Sequence, residues 1–77
     1  MIYRDNWVIE VSFHANKRAK QRGISFDMVD STLKKGRVRR FGRRKLAFVN
    51  EYKTGKVICI GEIKFDNFVR ILTVERG

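Results

Sequence analysis

The hydrophobic pattern of this sequence changes at Gly36. Before Gly36, Phe26, Val29 and Leu33 recur at the spacing of one helix face. After it, apolar residues fill three short segments, 46–52, 57–63 and 68–74, which are separated by turn residues. A chain with this change is constrained to pack helices from its first half against strands from its second half.

Capping residues delimit two helices in the first half. Ser12 precedes residues 13–22, and its hydroxyl can accept a hydrogen bond from a free N–H of the first turn. Gly23 follows this segment, where a glycine commonly ends a helix. Ser25 is the equivalent cap of a second helix, which runs to the change of pattern at Gly36.

The second half is typical of an antiparallel meander. Turns at 53–56 and 66–67 join the three strands, and the continuous apolar run in 57–63 predicts a central strand covered on both faces. Residues 37–42 could add a short edge strand, and residues 7–11 a possible extra one. The expected fold is α+β, with two N-terminal helices on one face of a three- to four-stranded antiparallel meander.

Length and composition exclude several classes. The 77 residues predict a single domain over 1–77. One cysteine, Cys59, and one histidine exclude an internal disulfide and a Cys/His zinc cluster. The carboxylates are scattered, so we expect no metal site and no cofactor. No apolar stretch approaches the roughly 20 residues of a membrane span or forms a secretory signal, so a cytoplasmic protein with no membrane partner is expected.

The net charge indicates the class of partner. Eighteen Lys and Arg against eight Asp and Glu give +10. A charge of this size opposes folding by self-repulsion, so a small chain that carries it usually has a polyanionic partner. RNA or DNA is favoured, an acidic protein comes next, and an anionic membrane surface comes last.

One stretch, residues 34–45, concentrates this charge. It holds eight cations and no anion in twelve residues, with Gly36 and Gly42 to loosen the backbone and Phe41 to stack on a base. A solvated loop would usually mix charges, so anion binding is favoured, without a preference for RNA over DNA. The candidate phosphate ligands are Lys34, Lys35, Arg37, Arg39, Arg40, Arg43, Arg44 and Lys45.

The first helix aligns His14, Arg18 and Arg22 on one ridge at i, i+4 and i+8. Imidazole is the usual proton-transfer group near neutral pH, and guanidinium matches phosphate oxygens. This ridge is therefore a candidate site in which His14 transfers protons and the arginines bind phosphate. The alternative is structural, with His14 packing on or capping the helix.

Ala15 and Ala19 form the neighbouring stripe, which predicts close approach of this helix to the sheet. Arg22 lies almost on this stripe, so we expect it to be partly buried and ion-paired with Glu62 or Glu75. The pairing and the phosphate-binding roles of Arg22 both remain open.

Arg70 lies among apolar residues on the last strand, as either a solvated edge residue or a site residue. Lys45 and Tyr52 flank the first full strand, and either could reach a substrate. Cys59 stands in an apolar run and is interpreted as a core residue.

The first helix and the segment after it carry a recognisable signature, His-Ala-x-x-Arg followed by Arg-Gly-Ile-Ser. It resembles the domain-of-unknown-function family numbered 4258, a family of small prokaryotic and mobile-element proteins. The resemblance covers about residues 12–75. The matching residues are His14, Ala15, Arg18, Arg22, Gly23, Ile24, Ser25, Val29, Leu33 and Gly36.

This family is similar in plan to the RelE and BrnT toxins and, more remotely, to barnase-like ribonucleases. The resemblance implies a RelE/barnase-like fold and a toxin that cuts RNA without a metal and is neutralised by an acidic antitoxin. In such an enzyme His14 would move the proton, while Arg18, Arg70 and, as a further candidate, Lys45 would stabilise the phosphorane. The alternatives are a non-catalytic nucleic-acid-binding module of a mobile element or virus, and an accessory protein that docks an acidic partner. The oligomeric state stays open.

Overall fold

A computed structural model describes residues Met1–Gly77, of which 53% lie in strands. Neither helix is long and apolar enough to cross a membrane. The elements, in chain order, are β1 (Ile2–Arg4), β2 (Trp7–Val11), α1 (Phe13–Gln21), α2 (Phe26–Lys35), β3 (Arg37–Phe41), β4 (Lys45–Tyr52), β5 (Gly55–Phe65) and β6 (Phe68–Arg76).

The strands form one curled, mixed sheet of six strands in the order β1-β2-β6-β5-β4-β3. Every neighbouring pair is antiparallel except β2 and β6, which are parallel. The predicted three- to four-stranded antiparallel meander under two N-terminal helices is therefore wrong. The RelE/barnase-like plan implied by the resemblance is corrected with it.

The predicted fold differs from the structure at the edge of the sheet that is formed by the N-terminal strands β1 and β2. The strand at 7–11 exists, and residues 2–4 add another before it, joined by a turn in which Asp5 has φ 53°. Val8 pairs with Phe68, far away in the chain, so no local pattern signals that the two strands are parallel neighbours. The possible edge strand at 37–42 is confirmed as β3.

The helices begin where their caps predicted. The Ser12 hydroxyl accepts a hydrogen bond from the Ala15 N–H at 3.0 Å, and Ser25 accepts from Met28 at 3.2 Å. Each bond satisfies one N–H that has no partner within its helix.

Both helices cover the same face of the sheet. Their apolar side chains, such as Ala15 and Leu33, pack there with Phe48, Cys59 and Ile71, all fully buried. The opposite face, called the open face below, has no helix over it. Strand β5 is central, as predicted, but coverage of both its faces is wrong, because Ile58 and Ile60 are only half-buried.

Helix α1 lies alongside the C-terminal half of β6. At one end the Ser12 N–H donates to the Ile71 carbonyl at 3.1 Å, and at the other Arg76 Nε donates to the Arg22 carbonyl at 2.9 Å. Strand β2 ends before this half of β6, so α1 takes the place of a neighbouring strand. The pairing of β5 with β6 shifts at Ile60/Gly61, which puts Arg70 and Thr73 on the same face.

Candidate functional site

The ridge of α1 runs along the edge of the open face. Ala15 and Ala19 are buried against β6, as predicted. The side chains of the adjacent ridge therefore extend toward the open face. His14 is exposed, and its Nε2 lies 3.4 Å from Arg18 Nε, a long contact for a hydrogen bond. Arg22 is half-buried and forms the ion pair that was expected of it.

The partner of Arg22 is Glu75 on β6, with 2.9 Å between Arg22 Nη2 and Glu75 Oε1. The Thr73 hydroxyl donates to the second carboxylate oxygen at 2.6 Å. This hydrogen bond, together with the positive charges of Arg22 and Arg18, lowers the pKa of Glu75 from its ordinary value, although burial opposes the shift. Glu75 is therefore a fixed, ionised carboxylate at the end of the ridge.

Sequence reasoning named Glu75 only as a partner of Arg22 and did not name Thr73 among the site residues. The available signal was their i, i+2 spacing on the last strand, which places both side chains on one face. This spacing does not predict that α1 lies beside the last strand.

Arg70 lies on the open face near the start of the ridge, since β2 pairs Glu10 with Arg70 just before the chain turns into α1. Its Nε donates to Glu10 Oε1 at 2.6 Å, while the side chain stays 44% exposed. Arg70 also stands opposite Glu62 of β5, which pairs with Lys64 at 2.7 Å and with Lys45 at 3.8 Å. A row of alternating charge thus crosses the sheet, and Arg70 is ion-paired within it.

Residues 34–45 are not one loose cationic loop. Their middle is β3, whose register with β4 places Arg37 and Arg39 on the open face, opposite Val49 and Ala47. Arg40 alternates to the other face of the strand. Phe41 ends the strand opposite Lys45 and is 48% exposed.

The cations of this segment differ in their partners. Lys34 pairs with Asp30 on α2 at 3.2 Å, away from the open face, and Arg37 reaches Glu51 at 3.8 Å. Lys35 lines a shallow cleft beside Arg37 at the sheet edge. Four arginines of β3 and of the turn after it have no carboxylate partner: Arg39, Arg40, Arg43 and Arg44.

The open face therefore brings together His14, Arg18, Arg22 and Arg70 along one side and Arg37, Arg39 and Lys45 along the other. Between them lies a floor of Ala47, Val49, Ile58 and Ile60. Lys34 and Arg40 lie outside this arrangement.

Two further residues belong to the core rather than to the site. The Tyr52 hydroxyl donates to the Met28 carbonyl at 3.0 Å, which ties α2 to β4 on the helix-covered face. Burial raises the pKa of the Cys59 thiol to about 12, so it is not a thiolate nucleophile at neutral pH. No group of three or more His, Cys, Asp or Glu side chains lies close enough together to hold a metal ion.

No protein-family model, curated protein or solved structure matches this chain. Its function must therefore be inferred from the chemistry of the open face.

Proposed function

We propose that this protein is a metal-independent endoribonuclease, of the kind that acts as a toxin in toxin–antitoxin pairs, and that RNA lies across the open face. The observation that carries the proposal is the ridge of α1 beside β6. It holds an imidazole, a guanidinium and a carboxylate in one line, with Arg18 making the 3.4 Å contact to His14 and Arg22 holding Glu75 at 2.9 Å.

These groups suit attack by a ribose 2′-hydroxyl on the adjacent phosphate. The Glu75 carboxylate accepts the 2′-hydroxyl proton as the O–P bond forms. His14 acts in its imidazolium form, in which Nε2 no longer accepts from Arg18, and gives a proton to the departing 5′-oxygen as its P–O bond breaks. Arg18 lies one helical turn, about 6 Å, from its neighbours on the ridge. It contacts His14 and is close enough to Glu75 to help lower the pKa of that carboxyl, so at a phosphate held between the two it would stabilise the developing charge of the phosphorane.

Glu75 supplies the second proton-transfer group that a histidine alone would lack. Glu75 is ionised at neutral pH, so it can accept a proton and cannot donate one, although its lowered pKa makes it a weaker base than an ordinary glutamate. Arg22 and Thr73 occupy its two oxygens and orient it. Arg70 bonds Glu10 through Nε, and its remaining donors can hold a neighbouring phosphate.

The arginines of β3 and of the turn after it extend this surface. Arg39 faces the same side as the ridge, and Arg43 and Arg44 are exposed at the turn. Exposed cations of this kind gain most from displacing counterions on nucleic acid. Phe41 offers a ring beside them for an unpaired base.

A non-catalytic nucleic-acid-binding module is the second candidate, and one observation favours it. Arg22 and Arg70 are already ion-paired on the open face, whereas Arg39, Arg40, Arg43 and Arg44 have no carboxylate partner. Binding through these free arginines requires nothing of His14 or Glu75.

A toxin ribonuclease acts in the cytoplasm, where its RNA is, and is held in check by an inhibitor. The net charge of +10 makes an acidic antitoxin the natural partner.

The experiment uses a DNA oligonucleotide that carries one ribonucleotide, incubated with the purified protein in EDTA. We expect a single cut after the ribonucleotide and a 2′,3′-cyclic phosphate end, because only that sugar has the attacking hydroxyl. An all-DNA oligonucleotide is the control and should stay intact. Cleavage that EDTA abolishes would refute metal independence, and binding without any cleavage would establish the second candidate instead.

A further inference from the structure

Two phenylalanines at the β5–β6 turn form a stacked pair on the open face. The Phe65 and Phe68 ring centroids are 5.2 Å apart, with the ring planes at 15°. Phe68 is half-buried at the start of β6, whereas Phe65 is 64% exposed. One face of the Phe65 ring is thus occupied by Phe68, and most of the rest of the ring meets solvent.

Two arginines lie near this pair. Arg70 has its guanidinium carbon 6.0 Å from the Phe68 ring centroid, on the strand that carries the charge row. Arg44 Nη1 donates to the Ile63 and Lys64 carbonyls at 3.3 Å, which brings the β3–β4 turn against the end of β5. One arginine thus lies beside the Phe68 ring and another beside the end of the strand that carries Phe65. Lys64, the residue before Phe65, is ion-paired with Glu62 at 2.7 Å, so a phosphate at Lys64 would replace that carboxylate.

We propose that Phe65 is a stacking platform for an unpaired nucleobase, with Arg44 and Lys64 contacting the phosphates on either side of that base. This proposal rests on the proposed binding of RNA and adds a subsite to it. A base favours a planar, exposed aromatic face, and its backbone favours cations spaced around that face. The positive charge around the ring selects a polyanion over an apolar peptide.

Phe26 provides a matched control, since it is 67% exposed but lies at the start of α2, on the helical side of the molecule. The variants are Phe65→Ala, Phe65→Leu and Phe26→Ala. Phe65→Leu retains apolar bulk and loses the aromatic face, so it separates stacking from general hydrophobic contact.

Affinities are measured by fluorescence anisotropy with two probes at one salt concentration. A short 2′-O-methyl oligouridine cannot be cut by 2′-hydroxyl attack, and long-chain inorganic polyphosphate carries the charge without bases. We expect both Phe65 variants to lose roughly 5- to 150-fold in affinity for the oligonucleotide, the range that loss of one base stack gives. Their affinity for polyphosphate should be unchanged, and Phe26→Ala should match the wild type on both probes.

Other outcomes separate this proposal from the function it rests on. Oligonucleotide binding by Phe65→Ala equal to that of Phe26→Ala would overturn the stacking platform and leave RNA binding intact. An equal loss on polyphosphate and oligonucleotide would also overturn it, because the effect would then not involve bases. Failure of the wild type to bind the oligonucleotide would overturn both.

Discussion

Replacing Gly36 with alanine tests how closely the end of α2 meets the sheet. A Cβ at this position would lie 2.4 Å from the Thr32 carbonyl oxygen and 2.9 Å from the Val49 carbonyl oxygen. Both are backbone atoms, of α2 and of β4, so relief requires one element to move from the other. Overpacking of this kind costs about 1–3 kcal/mol, against a gain of about 0.4–1 kcal/mol from stiffening the unfolded chain.

The 2.4 Å contact is with a backbone atom, so the cost lies in the upper half of its range, and the expected net loss is about 1–2 kcal/mol in the free energy of unfolding. For a domain of this size each kcal/mol shifts Tm by roughly 4–8 °C, so Tm should fall by about 5–15 °C. Thermal unfolding followed by circular dichroism measures the shift.

Gly23 provides the comparison, because it has φ +67° and no atom within 4 Å of an added Cβ. Gly23→Ala should lose stability for a different reason, the cost of a left-handed backbone, and Gly23→Asn should recover most of that loss because asparagine tolerates this conformation. Gly36 has φ −66° and ψ 162°, so Gly36→Asn should recover nothing. The reasoning is refuted if Gly36→Ala melts within about 2 °C of the wild type or if Gly36→Asn restores its stability.

Three further predictions concern the ridge and the charged surface. Ala15 is fully buried against β6, so Ala15→Leu should cost about 1–3 kcal/mol in chemical denaturation, while Lys17→Leu on the exposed side should be near neutral. A loss of stability in Ala15→Leu as small as that in Lys17→Leu would show that α1 does not pack against β6 through its alanine stripe. Because the folded pKa of Glu75 is lowered, its contribution to stability is present above its unfolded pKa, roughly 4.3, and is lost as pH falls through the folded value. Tm should therefore fall less between pH 7 and pH 3 for Glu75→Gln than for the wild type. An equal fall in Tm for the two proteins would show that the Thr73 and Arg22 contacts do not stabilise the ionised carboxylate. In salt titrations of nucleic-acid binding, the slope of log K against log salt should flatten by roughly two to three units when four arginines, Arg39, Arg40, Arg43 and Arg44, are replaced together by glutamine, because Arg40 faces away from the open face and the other three can contact phosphate. An unchanged slope would assign the charge of these arginines to an acidic protein instead.

Local signals predicted the local structure well. Serine caps and glycine stops placed both helices, and the alanine stripe predicted which face of α1 is buried. Arg22 was correctly expected to be half-buried and paired. The caps and the alanine stripe depend only on residues within one or two helical turns. The pairing of Arg22 depends on one long side chain that can reach a carboxylate on a neighbouring element.

The fold was wrong where distant segments meet. The β1–β2 turn is made by Asp5-Asn6, the same dipeptide that forms the predicted turn at 66–67. The sequence therefore contained a turn signal that could have predicted β1. The parallel pairing of β2 with β6 had no such signal. It also fixes the site, because it sends the chain into α1 beside β6 and thereby brings Arg22 to Glu75.

The end of α2 at Gly36 was predicted correctly, but the physical reason that glycine is required there differs from the expected one. The sequence predicted a glycine that ends a helix, as those with left-handed backbone commonly do. In the structure its backbone is extended, and the requirement for glycine comes from close contact with β4.

The measurement that tests the central claim most directly is the initial rate of cleavage of the single-ribonucleotide substrate in EDTA. Wild type is compared with His14→Ala, and Lys17→Ala is the control, an exposed cation of the same helix. Loss of a general acid should lower the rate by about 10²- to 10⁴-fold. His14→Ala should keep the wild-type Tm, since His14 is exposed, and Lys17→Ala should keep the wild-type rate. A His14→Ala enzyme that cuts at the wild-type rate would contradict the account.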